Sequence, residues 1–163
     1  MIELIIAYDN LNSQYNKIPK YLLISKNLDS KYFKEVNDLV STINCSEKII
    51  LVEDSGFLPA IYNNAELYIF SSYCEVFGFT NLEAMSCGLP VLTSNKSALP
   101  EICGDAALYF NPHDPIDIAN KISNLFFNDK LKEELITRGY KQASKYCWEN
   151  TCKQTKSLIL KDN

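Results

Sequence analysis

A chain of 163 residues is long enough for one domain with a sizeable core and too short for two full-sized domains. Apolar residues make up 47% and charged residues 22%, which is typical of a globular protein and too apolar for a disordered one. The formal net charge of −4, with Arg138 as the only arginine, argues against nucleic acid or an anionic membrane as a partner, so any phosphate must be met by lysine, hydroxyls or backbone amides.

The first third of the chain alternates between helical and strand patterns. Apolar residues recur with helical spacing over 4–15, which predicts an opening helix that ends before a proline. The apolar runs at 21–25 (YLLIS) and 48–52 (KIILV) predict buried strands. Helical spacing returns over 30–43, and Ser30 is a suitable cap for that helix.

The rest of the chain continues the alternation. Three further apolar runs predict buried strands: ELYIF (66–70), PVLTS (90–94) and AALYF (106–110). The predicted helices are FLPAIYNNA, TNLEAMSC, a short one near SALPEICG, HDPIDIANKISNLFF, NDKLKEELITRGYKQASKY and a last one from about Glu149. Gly88 is expected to end the second of these, and Asp114 and Asn128 to cap the fourth and fifth.

Five near-continuous apolar strands that alternate with helices are typical of a parallel sheet covered on both faces. We therefore predict an α/β fold with a doubly wound, Rossmann-like sheet. Ligands of such sheets bind beyond the carboxyl ends of the strands, at loops that lead into helix N-termini. The segment 71–87, SSYCEVFGFTNLEAMSC, follows a predicted strand and opens a helix, so it lies at such a place.

The cysteines and the N-terminus indicate the cellular compartment. The six cysteines have irregular spacings and no C-x-x-C pair, so we expect reduced thiols, largely in the core of a cytoplasmic protein. The first ten residues, MIELIIAYDN, have an acid at position 3 and no basic segment, and no apolar run approaches about 18 residues. We expect neither a signal peptide nor a membrane span.

Segment 71–87 carries two glutamates, one on each side of a glycine. A helix that starts near Thr80 or Asn81 presents unpaired N–H groups and the positive end of its dipole, which suit a phosphate, and Gly78 allows close approach of the backbone. Glu75 would repel a phosphate but can accept hydrogen bonds from sugar hydroxyls. Glu83, in the first turn, can reach a second cluster such as a ribose. The pattern suggests a sugar nucleotide that lies across the helix N-terminus.

Each of these residues also has a purely structural interpretation. Thr80 and Glu83 have the spacing of a capping box, in which the glutamate returns a hydrogen bond to the threonine N–H. Glu75 could be a solvated loop charge, and Gly78 and Gly88 are expected at turns in any case. Spacing alone leaves both interpretations open.

Taken together, the motifs resemble the donor-binding domain of retaining GT-B glycosyltransferases of family 4, the group 1 glycosyltransferases. The shared motifs are E-x7-E (Glu75, Glu83), F-G (Phe77, Gly78), L-E-A-M-x-C-G-x-P-V (82–91), a serine after the next strand (Ser94), L-P-E (99–101), G-D-A (104–106) and N-P-x-D-P (111–115). Upstream, 57–72 is similar to the family's L-x-x-x-Y-x-x-A-D segment, so the resemblance covers essentially the whole chain.

The resemblance implies that residues 1–163 are the nucleotide-sugar-binding half of a GT-B fold. Glu75 would be the catalytic residue that contacts the transferred hexose, and residues 52–54 would flank the base. The residues implied to hold a UDP- or GDP-linked donor are Gly78, Phe79, Thr80, Asn81, Leu82 and Glu83. Transfer would proceed with retention to a hydroxyl acceptor, without a cofactor or protein-bound metal, which fits the lack of a D-x-D motif. His113, the only histidine, is expected at the surface.

Part of the family pattern is missing from the chain. Family members have an N-terminal acceptor domain, and their donor domain begins with a strand and a loop that carry an arginine and a lysine for the diphosphate. Arg138 lies too far downstream to replace that arginine, and Lys26 and Lys96 are weak basic candidates. Without its first strand, the sheet is expected to have a gap near its centre.

Two functions stay open. The chain is either the donor half of a glycosyltransferase, incomplete on its own, or a non-catalytic or split-gene nucleotide-sugar-binding subunit that needs a separate acceptor-domain partner. Peripheral membrane association would arise only through the missing half. A Rossmann dehydrogenase is disfavoured, because no G-x-G-x-x-G motif follows a predicted strand.

Overall fold

The computed structural model of the protein describes residues 1–15, 22–25, 30–52 and 58–160. Within these ranges the helices are α1 (Ile2–Gln14), α2 (Ser30–Thr42), α3 (Leu58–Asn64), α4 (Phe79–Ser86), α5 (Leu99–Cys103), α6 (Pro115–Phe126), α7 (Asp129–Ala143) and α8 (Trp148–Leu160). The strands are β1 (Leu22–Ser25), β2 (Ile49–Val52), β3 (Tyr68–Phe70), β4 (Val91–Ser94) and β5 (Ala107–Phe110). Each predicted helix and strand is present, with ends that differ by at most three residues, and the α/β class is confirmed.

Two of the three predicted N-caps are formed, while the third, Ser30, is the first residue of α2 and not its cap. Asp114 Oδ1 accepts hydrogen bonds from the N–H groups of Ile116 at 2.9 Å and Asp117 at 3.2 Å. Asn128 Oδ1 accepts from the Leu131 N–H at 3.0 Å. Such caps satisfy N–H groups that the first helical turn leaves unpaired, and each contributes about 1 kcal/mol. They set the starts of α6 and α7.

All described strands run parallel, in two hydrogen-bonded groups. β1 pairs with β2, while β3, β4 and β5 form a three-stranded sheet with β4 in its centre. The four residues of β4 are all buried, including the polar Thr93 and Ser94, as is typical of a central strand covered on both faces. Within the described ranges no strand pairing joins the two groups. The sequence had predicted a gap near the centre of the sheet.

Helices cover both faces of the three-stranded sheet. Leu92 of β4 joins one core, which contains α1 and α6 side chains and also Leu22 and Ile49 of the other sheet. Val91, the preceding residue of β4, joins a second core with Leu82 and other side chains of α4 and α5. Successive strand residues point to opposite faces, so both cores share one strand. The predicted two-sided covering is confirmed.

The cysteines follow the expectation only in part. All six carry free thiols, of which Cys45 and Cys103 are buried and two are half-buried. Burial raises the pKa of the Cys45 thiol to about 12 and that of Cys103 to about 11. The prediction of core thiols is wrong for Cys74 and Cys152, which are exposed because they lie in a surface loop and on an uncovered helix.

α7 is held against α4 and α5 through one glycine and one glutamine. A Cβ atom added at Gly139 would lie 3.3 Å from the Cβ and Cγ atoms of Met85, so α7 and α4 cross closely. Gln142 is 6% exposed. Its Nε2 donates to the Ile102 carbonyl at 2.6 Å, and its Oε1 accepts from Lys145 at 2.6 Å. Both ends of this buried amide are therefore satisfied.

We expect Gln142→Leu to lower the free energy of unfolding by about 1–3 kcal/mol, because the buried Ile102 carbonyl would lose its main donor. Urea unfolding followed by far-UV circular dichroism measures this change. Gln14→Leu makes the same exchange at an exposed position at the end of α1 and should cost less than about 0.5 kcal/mol. Equal losses in the two variants would contradict a bonding role for Gln142.

Candidate functional site

The candidate site lies where two loops meet at the carboxyl edge of the β3–β4–β5 sheet. Because β3 and β4 are parallel neighbours, loop 71–78 after β3 and loop 95–98 after β4 leave the sheet side by side. The Glu75 N–H donates to Ser97 Oγ at 3.2 Å, and the Ser97 hydroxyl donates to Cys74 Sγ at 3.8 Å. Glu75 is thus half-buried at the junction of the two loops.

Gly78 makes the turn from the first loop into α4. Its φ of 82° and ψ of 49° lie in the left-handed region, which glycine adopts without strain. A Cβ atom there would lie only 2.6 Å from Leu99 Cδ2 and 3.0 Å from Asn81 Nδ2. Both the conformation and the close packing therefore require glycine at this position.

α4 begins at Phe79, earlier than the predicted start near Thr80 or Asn81. The N–H groups of Phe79 and Thr80 form no hydrogen bond with any described residue. Unpaired N–H groups at a helix start carry partial positive charge and can bind an anion such as phosphate. The Phe79 side chain is 66% exposed and packs against the Phe77 ring, with the ring centroids 4.3 Å apart.

The capping-box interpretation of Thr80 and Glu83 is wrong. A capping box needs the threonine at the N-cap and the glutamate three positions later, within the first turn. In the structure Gly78 is the N-cap, Thr80 is the second helical residue and Glu83 is the fifth, and no side chain caps α4. Glu83 is thus two positions further along the helix than the capping box requires. Capping therefore does not account for Glu83.

Tyr62 of α3 contacts Glu83 instead. The Tyr62 hydroxyl donates to Glu83 Oε2 at 3.4 Å, which is longer than the 2.7 Å or so of a tight hydroxyl–carboxylate bond and leaves room to shorten when a ligand binds. Burial, with repulsion from the Glu83 carboxylate, raises the pKa of Tyr62 to about 12, so its hydroxyl keeps its proton at neutral pH. Glu83 is exposed, and the described residues donate no hydrogen bond to its Oε1.

Two of the predicted donor-binding residues turn inward. Leu82 is 7% exposed and belongs to the second core, so any contact with a ligand falls to its backbone. Asn81 is fully buried, and its Nδ2 donates to the Gly78 carbonyl at 3.2 Å. Its Oδ1 is buried without a hydrogen-bond partner in the described structure. Asn81 therefore stabilises the Gly78 turn, which in turn sets where α4 starts.

Two of the three basic residues considered from the sequence, Arg138 and Lys96, lie within the described ranges. Arg138 of α7 donates to the Asp105 carbonyl at 3.3 Å, on a different part of the surface from loop 71–78, so it does not replace the missing arginine. Lys96 lies in loop 95–98, where its N–H donates to Ser94 Oγ at 3.2 Å. Lys26 and the predicted base-flanking residues 53–54 lie outside the described residues.

The structure adds two residues that the sequence did not single out, Tyr62 and Ser97. Tyr62 is the tyrosine of the L-x-x-x-Y motif, so a signal was visible but carried no role. Nothing in the sequence marks Ser97, whose φ of 58° lies where glycine would be expected. His113 is exposed, as expected, and its ring stacks on Tyr73 with centroids 4.4 Å apart.

The described ranges contain neither a candidate metal site nor a candidate membrane span. They contain no group of three or more histidine, cysteine, aspartate or glutamate side chains that could hold a metal ion. They also contain no helix of the length and apolar character that crossing a bilayer demands. Shallow depressions of about 410 Å³ and 400 Å³ lie on α7 and α8, apart from the candidate site.

Comparison with known sequences identifies relatives of this chain. The sequence profile of the family described as "Glycosyl transferases group 1" matches residues 2–142. O-antigen chain mannosyltransferase B of Escherichia coli is 42% identical over 98 residues, which are 60% of this chain and 26% of that protein. D-inositol 3-phosphate glycosyltransferase of Corynebacterium jeikeium (strain K411) is 32% identical over 94 residues, 56% of this chain and 22% of that protein. The chain thus spans about a quarter of the length of these curated relatives.

Solved structures share the fold. A glycosyltransferase from Rickettsia africae ESF-5 superposes with a TM-score of 0.85 at 17% identity, over 99% of this chain and 44% of the other. Anabaena Alr3699/HepE, in complex with UDP-glucose, gives a TM-score of 0.82 at 18% identity, over 99% and 44% of the two chains. These likenesses show the Rossmann-like fold of one half of a GT-B protein. Since the family profile covers most of the chain, the protein belongs to the group 1 glycosyltransferase family and corresponds to its C-terminal domain.

Proposed function

We propose that residues 1–163 form the donor-binding half of a family 4 glycosyltransferase, which transfers a hexose-type sugar with retention from a UDP- or GDP-linked donor to a hydroxyl acceptor. The observation that carries the proposal is the N-terminus of α4, where two unpaired N–H groups follow the left-handed turn at Gly78, with a glutamate before the turn and another further along the helix. The E-x7-E spacing of Glu75 and Glu83 supports the assignment to family 4 and to a retaining reaction.

The diphosphate would lie against the N–H groups of Phe79 and Thr80. In the transfer, the bond between the sugar C1 and the diphosphate oxygen breaks and negative charge builds up on the departing diphosphate, while the acceptor oxygen bonds to C1 and its proton passes to the departing diphosphate oxygen. Preorganised N–H groups and the dipole of α4 stabilise that charge more effectively than water does, because they need no reorientation. The reaction uses no cofactor, since the nucleotide sugar is itself a substrate.

The two carboxylates would bind the neutral parts of the donor. Glu75 would accept hydrogen bonds from hydroxyls of the transferred sugar, on the side of the turn that faces the second loop. Glu83 would accept from the ribose through its Oε1 atom, while Tyr62 contacts Oε2. Hydrogen bonds to a charged acceptor contribute about 1.5–3 kcal/mol each, enough to orient the sugar.

A second candidate function is a nucleotide-sugar-binding subunit that works with a separate acceptor-domain polypeptide. The observation that favours it is α8, in which no residue is buried. Trp148, Leu158 and Ile159 are 82%, 68% and 66% exposed, so an apolar helix face is left uncovered by the described residues. An acceptor domain is a fitting occupant, because the chain covers only 44% of the Rickettsia africae structure that shares its fold.

Glu75→Gln tests the sugar contact. We expect the affinity for a nucleotide sugar to fall about 10- to 100-fold, because a charged acceptor becomes neutral, while the affinity for the bare nucleotide stays unchanged. Calorimetric titrations with GDP-mannose and GDP, and with UDP-glucose and UDP, measure both. Glu133→Gln, on the exposed face of α7, is the control. Equal losses for sugar nucleotide and nucleotide would remove Glu75 from the sugar site.

Glu83→Gln and Tyr62→Phe test the ribose contact. The unchanged protein should prefer the nucleotide to its 2′-deoxy analogue by about tenfold, as one good hydrogen bond allows. Glu83→Gln should abolish most of this preference, and Tyr62→Phe should reduce it about threefold because Oε2 loses its contact. Calorimetry gives the ratio, and thermal unfolding checks stability. A drop in stability with an unchanged ratio would leave both residues a structural role only.

An assay of donor hydrolysis separates the two candidate functions. The isolated chain should bind a nucleotide sugar but release no sugar, because a hydroxyl acceptor needs a second binding surface. Release of mannose from GDP-mannose or glucose from UDP-glucose is followed with and without added acceptor-domain protein. Turnover by the isolated chain would reject the subunit function and favour a self-sufficient enzyme.

A further inference from the structure

Ser97 has an unusual backbone conformation for its residue type. Among the described residues other than glycine, it alone has a positive φ, of 58°. This region brings the Cβ atom too close to the carbonyl oxygen, so residues with side chains adopt it only where the surroundings hold them there. Residues strained in this way occur preferentially at functional sites. Ser97 lies in loop 95–98, beside the Glu75 loop.

The hydroxyl of Ser97 links the two loops. Its Oγ accepts a hydrogen bond from the Glu75 N–H at 3.2 Å and donates its proton to Cys74 Sγ at 3.8 Å. Two residues further on, Leu99 is fully buried and packs so closely on Gly78 that a Cβ atom there would lie 2.6 Å from Leu99 Cδ2. The second loop and the first residue of α5 therefore hold segment 75–78 at its two ends.

Glycine would satisfy the backbone at position 97 without strain but has no hydroxyl to accept the Glu75 N–H. Serine keeps the strained backbone and supplies that acceptor. We propose that Ser97 is a positioning residue, which sets the direction of the Glu75 side chain by holding its backbone N–H. The inference rests on the proposed function, in which Glu75 contacts the transferred sugar. It assigns Ser97 to recognition of the sugar and not of the nucleotide.

Ser97→Gly and Ser97→Ala form a matched pair for the test. Both variants remove Oγ, but the glycine variant releases the backbone strain and the alanine variant keeps it. We expect the melting temperature of Ser97→Gly to equal or exceed that of the unchanged protein, and that of Ser97→Ala to fall below it. In both, the preference for GDP-mannose over GDP, or for UDP-glucose over UDP, should fall about three- to tenfold.

The preference ratio separates positioning from stability, because strain alone shifts the melting temperature without a selective effect on the sugar. Ser144→Gly and Ser144→Ala, at an exposed serine after α7, serve as controls and should leave the ratio unchanged. An unchanged ratio in Ser97→Gly, or a loss confined to Ser97→Ala that follows its melting temperature, would overturn the proposal while the proposed function stands. If the unchanged protein shows no affinity for either nucleotide sugar, the proposed function fails and this inference fails with it.

Discussion

The left-handed turn at Gly78 is the constraint on which the rest of the site depends. Leu99, the first residue of α5, packs against Gly78 so closely that no side chain fits at position 78. The Asn81 amide donates a hydrogen bond to the Gly78 carbonyl. Because the N-cap is a glycine, no capping side chain competes for the N–H groups of Phe79 and Thr80. The anion site that we propose would thus be formed by backbone geometry, in a chain whose single arginine is engaged on another part of the surface.

In the proposed site a diphosphate would lie near two carboxylates, so these like charges must be kept apart. The structure does so by attaching each carboxylate to a different element. The backbone of Glu75 is tied to the loop after β4 through Ser97, and Glu83 lies in the second turn of α4 beside Tyr62 of α3. Because β3 and β4 pair in parallel, the Glu75 loop and the loop after β4 lie at the same edge of the sheet. The α/β topology is therefore what separates the charges.

Much of the fold followed from local patterns. The caps at Asp114 and Asn128 and the continuous apolar strands act over a few residues, so sequence spacing predicts them. The start of α4 did not follow in the same way, because the contact of Leu99 with Gly78, 21 positions apart, decides it and not the Thr80 hydroxyl. Because the N-cap is Gly78 and not Thr80, the capping box is not formed, and Glu83 lies beside Tyr62.

The candidate site likewise combines residues that the local sequence predicts with contacts between distant positions that it does not. The residue types and spacing of Glu75, Gly78 and Glu83 were readable, since each suits one kind of chemistry at a helix start. The two side chains that contact them were not, because Ser97 and Tyr62 meet their partners across 22 and 21 positions. Left-handed backbone at a serine has no local signature, and only the packing of neighbouring loops produces it.

The crossing of α4 and α7 also bears on how relatives of this domain diverge. Because a Cβ atom added at Gly139 would lie 3.3 Å from the Met85 side chain, the two positions share one fixed volume. Any lineage that enlarges the residue at 139 must shrink the one at 85 or shift α7, which would also pull Gln142 from the Ile102 carbonyl. These two positions should therefore vary as a correlated pair, although neither touches the proposed donor.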